Sequence, residues 1–311
     1  MVLSIAAIFR ENLTKRANSY NFARASNVTV CASLGAPAME GFIATANWRD
    51  VMKNFYVAVM LAATLAGGTL ESASAQSAPK TGIKNVVLVH GAFADGSGWE
   101  AVAKILEKDG YTVSVAQPPE TSYAEDIKYA TAAIDAMDGP VVIVGHSYGG
   151  SIITEAGNDP KVSALVYIAA FALDDGESCA SIEQALPQAS KAFKADSEGN
   201  WWIEQAHFAA DFAADVPPAV SHFMAQSQVP ISTDAFTHKV TKPAWKTKPT
   251  WYMVATADRS INPDQERMMA KRAHAKTVEV NASHVAYMSH PKETAKLIEE
   301  AATSASVNQS R

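Results

Sequence analysis

Cysteine is almost missing from this chain. Cys31 and Cys179 are the two present in 311 residues, too few for a disulfide framework or a thiolate zinc site. Positive charge is short as well: 26 lysines and arginines face 32 aspartates and glutamates, for a net charge of −6. A nucleic-acid partner would call for a basic face, so that class is set aside. No apolar run reaches the roughly 18–20 residues that span a bilayer. Internal repeats and low-complexity tracts do not occur. What remains, 48% hydrophobic and 19% charged residues, is the composition of a globular protein with a sizeable core.

The start of that core comes late. Met52-Lys53-Asn54 is followed by the apolar run Phe55 to Leu65, then by a Gly/Ser/Ala stretch ending in Ala73-Ser74-Ala75 before Gln76. A positive segment, an apolar segment and an A-x-A site in that order read as a secretory signal peptide over 52–75. A signal peptide works at a nascent N-terminus, so translation is expected to start at Met52, with residues 1–51 an upstream extension outside the fold. The rival is a bipartite targeting sequence, since Arg10, Lys15, Arg16 and Arg24 are basic and acids are sparse there. Residues 1–75 carry six lysines and arginines against four acids, so the part from Gln76 to Arg311 is more acidic than the whole. The expectation is an exported protein, periplasmic or secreted, with no membrane anchor after cleavage.

From residue 85 onward, short runs of Val, Ile and Leu alternate with helical spacing. Strands are predicted at Asn85–His90, Tyr111–Ala116, Val141–Val144, Ala164–Ala170, Thr250–Ala255 and Thr277–Val280. Helices are predicted at Trp99–Asp109, Tyr123–Met137, Gly149–Gly157, Asp264–Ala273 and Lys292–Ala302. Near-continuous apolar strands separated by helices imply an α/β fold, with a six-stranded parallel sheet covered on both faces. The interval from about 174 to 248 breaks the rhythm with Pro187, Pro217, Pro218 and Pro230 and with Trp201, Trp202, Phe208, Phe212, Phe223, Phe236 and Trp245. It is too long for a crossover and reads as a helical cap inserted after strand four.

The chemistry-bearing motif is Gly145-His146-Ser147-Tyr148-Gly149, between a strand and a helix. A nucleophilic serine on so sharp a turn needs small flanking neighbours, and the turn lifts its hydroxyl to the carboxyl edge of the sheet. The base expected for Ser147 is His284, just after strand six, because it completes the chain order serine, acid, histidine. His290 competes, but it precedes Pro291, where helix capping is the plainer role. The orienting acid is expected to be Asp258, after strand five, with Asp174 or Asp175, after strand four, as the alternative. Asp264 reads as a helix-start residue beside Pro263. His90-Gly91-Ala92-Phe93 follows strand one, and the amides of Ala92 and Tyr148 are candidates for an oxyanion hole. Neither G-x-G-x-x-G nor G-x-x-x-x-G-K-[ST] follows that strand, so phosphate cradling is not indicated.

These motifs resemble the α/β-hydrolase superfamily. Within it, HGAFADGSGW, GHSYGG, VYIAAF and the ATADRSIN to NASHVAYM spacing are similar to the methyl-esterase and hydroxynitrile-lyase group and to bacterial pyrethroid-hydrolase-like carboxylesterases. The resemblance implies a cofactor-free, metal-free Ser–His–Asp site acting on a small-molecule ester, with an apolar acyl or alcohol group suggested by the cap's aromatics. Lyases of the group carry a threonine after the first histidine and a lysine after the catalytic one. Here those positions hold Gly91 and Val285, which favours an exported carboxylesterase. A carbon–carbon lyase or a perhydrolase on the same triad, or a receptor-like binding protein, are the alternatives.

Overall fold

A computed structural model describes residues 82–309. The leader and upstream extension expected over 1–75 lie outside the described residues. Four strands come first: β1 (Asn85–Val89), β2 (Thr112–Ala116), β3 (Val141–Ser147) and β4 (Val162–Ala170). The insert holds β5 (Phe193–Ala195), β6 (Asn200–Ile203) and β7 (Ile231–Ser232), and the chain returns through β8 (Thr250–Ala255) and β9 (Lys276–Val280).

Six of these strands form one sheet in the order β2-β1-β3-β4-β8-β9, and every pairing in it is parallel. Every residue of β1, β3, β4 and β8 is buried, whereas the edge strands β2 and β9 are partly exposed. Central strands covered on both faces must be apolar at successive positions, which is why they read as continuous Val/Ile/Leu runs.

Helices supply the covering layers. Before the insert come α1 (Glu100–Lys108), α2 (Tyr123–Asp135) and α3 (Tyr148–Ala156). Ser122 caps α2 by accepting from the Glu125 amide, one of the donors a helix start leaves unsatisfied. Within the insert lie α4 (Cys179–Ala185), α5 (Gln205–Asp211), α6 (Pro218–Gln226) and α7 (Thr233–Thr237). After it come α8 (Pro263–Arg272), α9 (Ala286–Ser289) and α10 (Pro291–Gln309). Asn262 caps α8 and Pro263 opens it, with acids in the first turn and Lys271 and Arg272 in the last, a charge order that suits the helix dipole.

The insert is a cap, but not a purely helical one. β5, β6 and β7 form a separate three-stranded antiparallel sheet inside it. The β5–β6 turn is built by Asp196, whose Oδ1 accepts from the Glu198 and Asn200 amides, and by Gly199 at φ +84°. The two ends of the cap meet as they leave the sheet. The Gly176 amide donates to the Val240 carbonyl at 2.8 Å, and the Val240 amide donates to the Glu177 carbonyl at 2.9 Å. Ion pairs Lys246–Asp174 and Arg272–Glu177 fasten the same stem to the body.

Candidate active site

Ser147 closes β3 and caps α3 with φ 52° and ψ −124°. Such a backbone is costly for a residue with a Cβ, about 1–3 kcal/mol, and persists only where the surroundings over-determine it. The surroundings are tight. A Cβ on Gly145 would sit 2.5 Å from the Gly149 carbonyl oxygen, and one on Gly149 would sit 2.4 Å from that of His90. These glycines let β3, α3 and β1 approach closely enough to force the turn.

His284 lies in the loop after β9, and its Nδ1 is 2.5 Å from Asp258 Oδ2. Asp258 follows β8. Its other oxygen, Oδ1, accepts from the Ser260 amide at 2.7 Å and the Ile261 amide at 2.9 Å. The carboxylate is thus held at both ends, with Oδ2 aimed at the imidazole. Ser147, His284 and Asp258 are 6%, 1% and 4% exposed, so bulk water does not compete at this network. Ser147 and His284 line one small pocket together with Ala92 and Tyr148. Tyr148 is the first residue of α3, so its amide has no acceptor within the helix and is available to a ligand.

The alternatives considered from the sequence lie elsewhere. Asp174 is ion-paired to Lys246 at 2.5 Å, Asp175 is exposed, and Asp264 pairs with Arg267. His290 contacts Ser289 through its ring, and its carbonyl accepts from the Thr294 amide at the start of α10. The structure therefore brings together Ser147, His284, Asp258, Ala92 and Tyr148, and leaves the competitors outside.

Side chains of the motifs whose roles the motifs did not reveal, and three acids outside every motif, Glu120, Asp126 and Glu266, support this arrangement. The His146 ring is buried, which together with the nearby His284 keeps it well below the usual histidine range and neutral. Its Nε2–H donates to the His284 carbonyl at 3.0 Å, tying the nucleophile turn to the base loop. Tyr148 donates its hydroxyl to Asp126 Oδ2 at 2.5 Å, and Asp126 Oδ1 accepts from the Glu120 amide at 2.7 Å. Glu120 has no exposed surface, a backbone at φ 60°, and an Oε1 only 3.4 Å from His90 Nδ1. Burial pushes the Glu120 carboxyl up to about 7 against the opposing pull of His90. This cluster links Tyr148, through Asp126 and Glu120, to His90, two residues before Ala92. On the opposite side Glu266 accepts from the Ala255 amide at 3.2 Å, and burial with the negative charge of Asp258 holds it well above the carboxylate range.

Room beside Ser147 is scarce. The pocket has a free volume of about 20 Å³, enough for roughly one water. Next to it, under the cap, is a chamber of about 330 Å³. Phe93, Glu183, Phe193 and Phe236 line both cavities and so form the partition between them. Of the cap aromatics, Phe212 and Phe236 face the Ser147 pocket and Trp201 the chamber, Phe208 is buried in the core, and Phe223 is 66% exposed. Among the described residues no cluster of side chains could hold a metal, and no helix is long and apolar enough to cross a membrane.

Comparison with known proteins agrees with this architecture. A carbendazim-hydrolysing esterase of Nocardioides is 35% identical over 119 residues, 33% of this chain and 49% of that protein, so the chain spans about half of that relative's length. A pyrethroid hydrolase of Sphingobium wenxiniae is 26% identical over 248 residues, 70% of this chain and 86% of that one. Among solved structures, a pyrethroid hydrolase from Sphingobium faniae superposes with a TM-score of 0.61 at 22% identity, covering 70% of this chain and 96% of its own. An extracellular α/β-hydrolase from a Paenibacillus species gives 0.60 at 21%, covering 70% and 98%. At such identities the two structures speak to the fold alone. The family model described as "Alpha/beta hydrolase family" matches residues 86–297, and the chain belongs to that family.

Proposed function

We propose that the protein is a serine carboxylic-ester hydrolase. The observation that carries this reading is the strained Ser147 sharing one buried pocket with His284, whose far nitrogen is held by Asp258. In the proposed cycle His284 takes the Ser147 proton as the hydroxyl attacks the ester carbonyl, and then returns it to the departing alcohol. Asp258 keeps the Nδ1–H tautomer, so Nε2 is free to act as the base. The amides of Ala92 and Tyr148 stabilise the tetrahedral oxyanion, and water then hydrolyses the acyl-enzyme. The aromatic walls of the chamber, together with relatives named for carbendazim and pyrethroid hydrolysis, support a small to medium apolar or aromatic ester as substrate. The signal-peptide pattern supports export to the periplasm or medium.

The lyase reading loses support on the same residues. Cyanide leaving inside an apolar pocket needs a compensating cation. Val285 follows His284, and Arg259 is bound to Asp211 at 2.7 Å in a separate groove. A side chain on Gly91 would press to 2.6 Å from the Ser147 Cβ, so position 91 has no room for a threonine here.

A panel of p-nitrophenyl esters of increasing chain length tests the proposal. Ser147→Ala should keep the fold and lose roughly 10⁴–10⁶ in kcat, and a fluorophosphonate should label the wild type alone. Hydrolysis by clean Ser147→Ala protein at more than a few per cent of wild type refutes the assignment.

A further inference from the structure

Glu183 stands out among the carboxylates the reaction does not use. It lies on α4, in the partition that faces the Ser147 pocket on one side and the chamber on the other. Its neighbours there are Phe93, Phe193 and Phe236, with Trp201 further along the chamber wall. No group among the described residues makes a hydrogen bond or ion pair with its carboxyl, and its surroundings in the chamber are largely apolar. Glu183 is half-buried, so water can reach its carboxyl from the chamber, and a ligand that displaces that water must offer a polar partner in its place. Core packing does not call for an acid here, since a leucine of similar length would fill the same wall.

We infer that Glu183 is a specificity-determining residue that recognises an aromatic nitrogen heterocycle on the ester, donating its carboxyl proton to the ring nitrogen. This rests on the ester-hydrolase reading and names the substrate class within it. A protonated carboxyl brings one strong donor, so its partner must be an acceptor. A ring nitrogen is a stronger acceptor than an ether or ester oxygen, and its lone pair lies in the plane of the ring. A flat ring can therefore stack between the chamber's aromatics while its edge meets Glu183.

The electrostatics agree with the protonated form. Burial, and then the negative charge of Asp258, push Glu183 up to about 8. The other titratable groups facing it are His284 across the pocket and Cys179 on its own helix. Among the described residues no lysine or arginine lines either cavity. A bound heterocycle thus meets a neutral acid at neutral pH and a lone carboxylate in alkaline solution.

Matched esters separate the possibilities. Benzyl acetate, the 3- and 4-pyridylmethyl acetates and 4-hydroxybenzyl acetate have nearly one shape and differ in the polar atom at the ring edge. Their kcat and KM are measured by pH-stat on wild type, Glu183→Gln and Glu183→Leu. At about pH 6.5 the wild type should favour one pyridyl isomer over benzyl by about tenfold in kcat/KM, chiefly through KM. That ratio cancels the titration of the triad itself, and it should fall as the pH is raised through about 8. Glu183→Gln should keep part of the preference, because its amide still donates, and Glu183→Leu should reverse it in favour of benzyl. An equal pyridyl-to-benzyl ratio in wild type and Glu183→Leu overturns the inference, and so does a preference for the hydroxybenzyl ester over both pyridyl isomers. p-Nitrophenyl acetate hydrolysis that survives Ser147→Ala would instead reject the serine-esterase reading.

Discussion

Replacing Asp258 by asparagine tests the proposed mechanism at its most constrained atom. An amide can be placed in two ways, but the structure permits one. Position Oδ1 accepts from two backbone amides, of Ser260 and Ile261, so the asparagine oxygen must occupy it. The NH₂ group is then left facing His284 Nδ1, where the carboxylate oxygen accepts at 2.5 Å in the wild type. A donor at that point requires Nδ1 to be the acceptor, which moves the ring proton to Nε2. The imidazole nitrogen that should receive the Ser147 proton is then already protonated. Forcing the wrong tautomer in a triad costs about 10⁴ in kcat, close to 5.4 kcal/mol at 1.36 kcal/mol per tenfold. Size and shape hardly change, and the two backbone hydrogen bonds survive, so the fold should remain. The assay is p-nitrophenyl acetate hydrolysis beside a thermal melt of the same preparation. Full-strength folding with more than a tenth of wild-type kcat would refute the tautomer argument and return the choice of acid to an open question.

Gly149→Ala places a methyl 2.4 Å from the His90 carbonyl and 2.8 Å from that of Val89, both rigid backbone; a loss of about 3 kcal/mol or more is expected, read as a lower Tm or loss of soluble protein. Tyr148→Phe keeps the backbone amide but removes the hydroxyl that donates to buried Asp126. It should cost about 1.5–3 kcal/mol in denaturant unfolding and lower kcat more than it raises KM; an unchanged unfolding midpoint would show that the bond is not load-carrying for the fold. Expression from Met52 in a bacterium with a secretory pathway should yield an exported product starting at Gln76 by intact mass. A stable product retaining residues 1–51 would show the upstream segment to be real.

The sheet was readable because burial on both faces makes β1, β3, β4 and β8 apolar at every position, a pattern that survives without any knowledge of partners. Ser147 was readable for a local reason too: its turn demands glycines at 145 and 149. His284 and Asp258 followed from chain order and from their positions after strands. The small cap sheet was not legible. β5 is three residues and β7 two, mostly without alternation, and their pairing is decided by the Asp196–Gly199 turn and by what lies beneath. Nor were Glu120, Asp126, Glu183 and Glu266, since each is an ordinary acid in a polar-looking stretch. Tertiary packing alone turns them inward. The last helix was foreseen at Lys292–Ala302 and runs from Pro291 to Gln309, because its later residues carry no terminator that marks an end.

The clasp at the base of the cap bears on how such a protein diversifies. Because residues 176 and 177 are bonded directly to residue 240, the excursion between them begins and ends at nearly one point. Ser147 and the proposed oxyanion amides of Ala92 and Tyr148 come from chain before that point, and Asp258 and His284 from chain after it. Recombination or insertion between Glu177 and Val240 can therefore exchange the cap walls of the chamber while leaving the proposed triad where it is. Evolution and the engineer share the same pair of cut sites. A graft of a foreign cap across them, with the stem residues kept, would inherit the chemistry of one protein and the appetite of another.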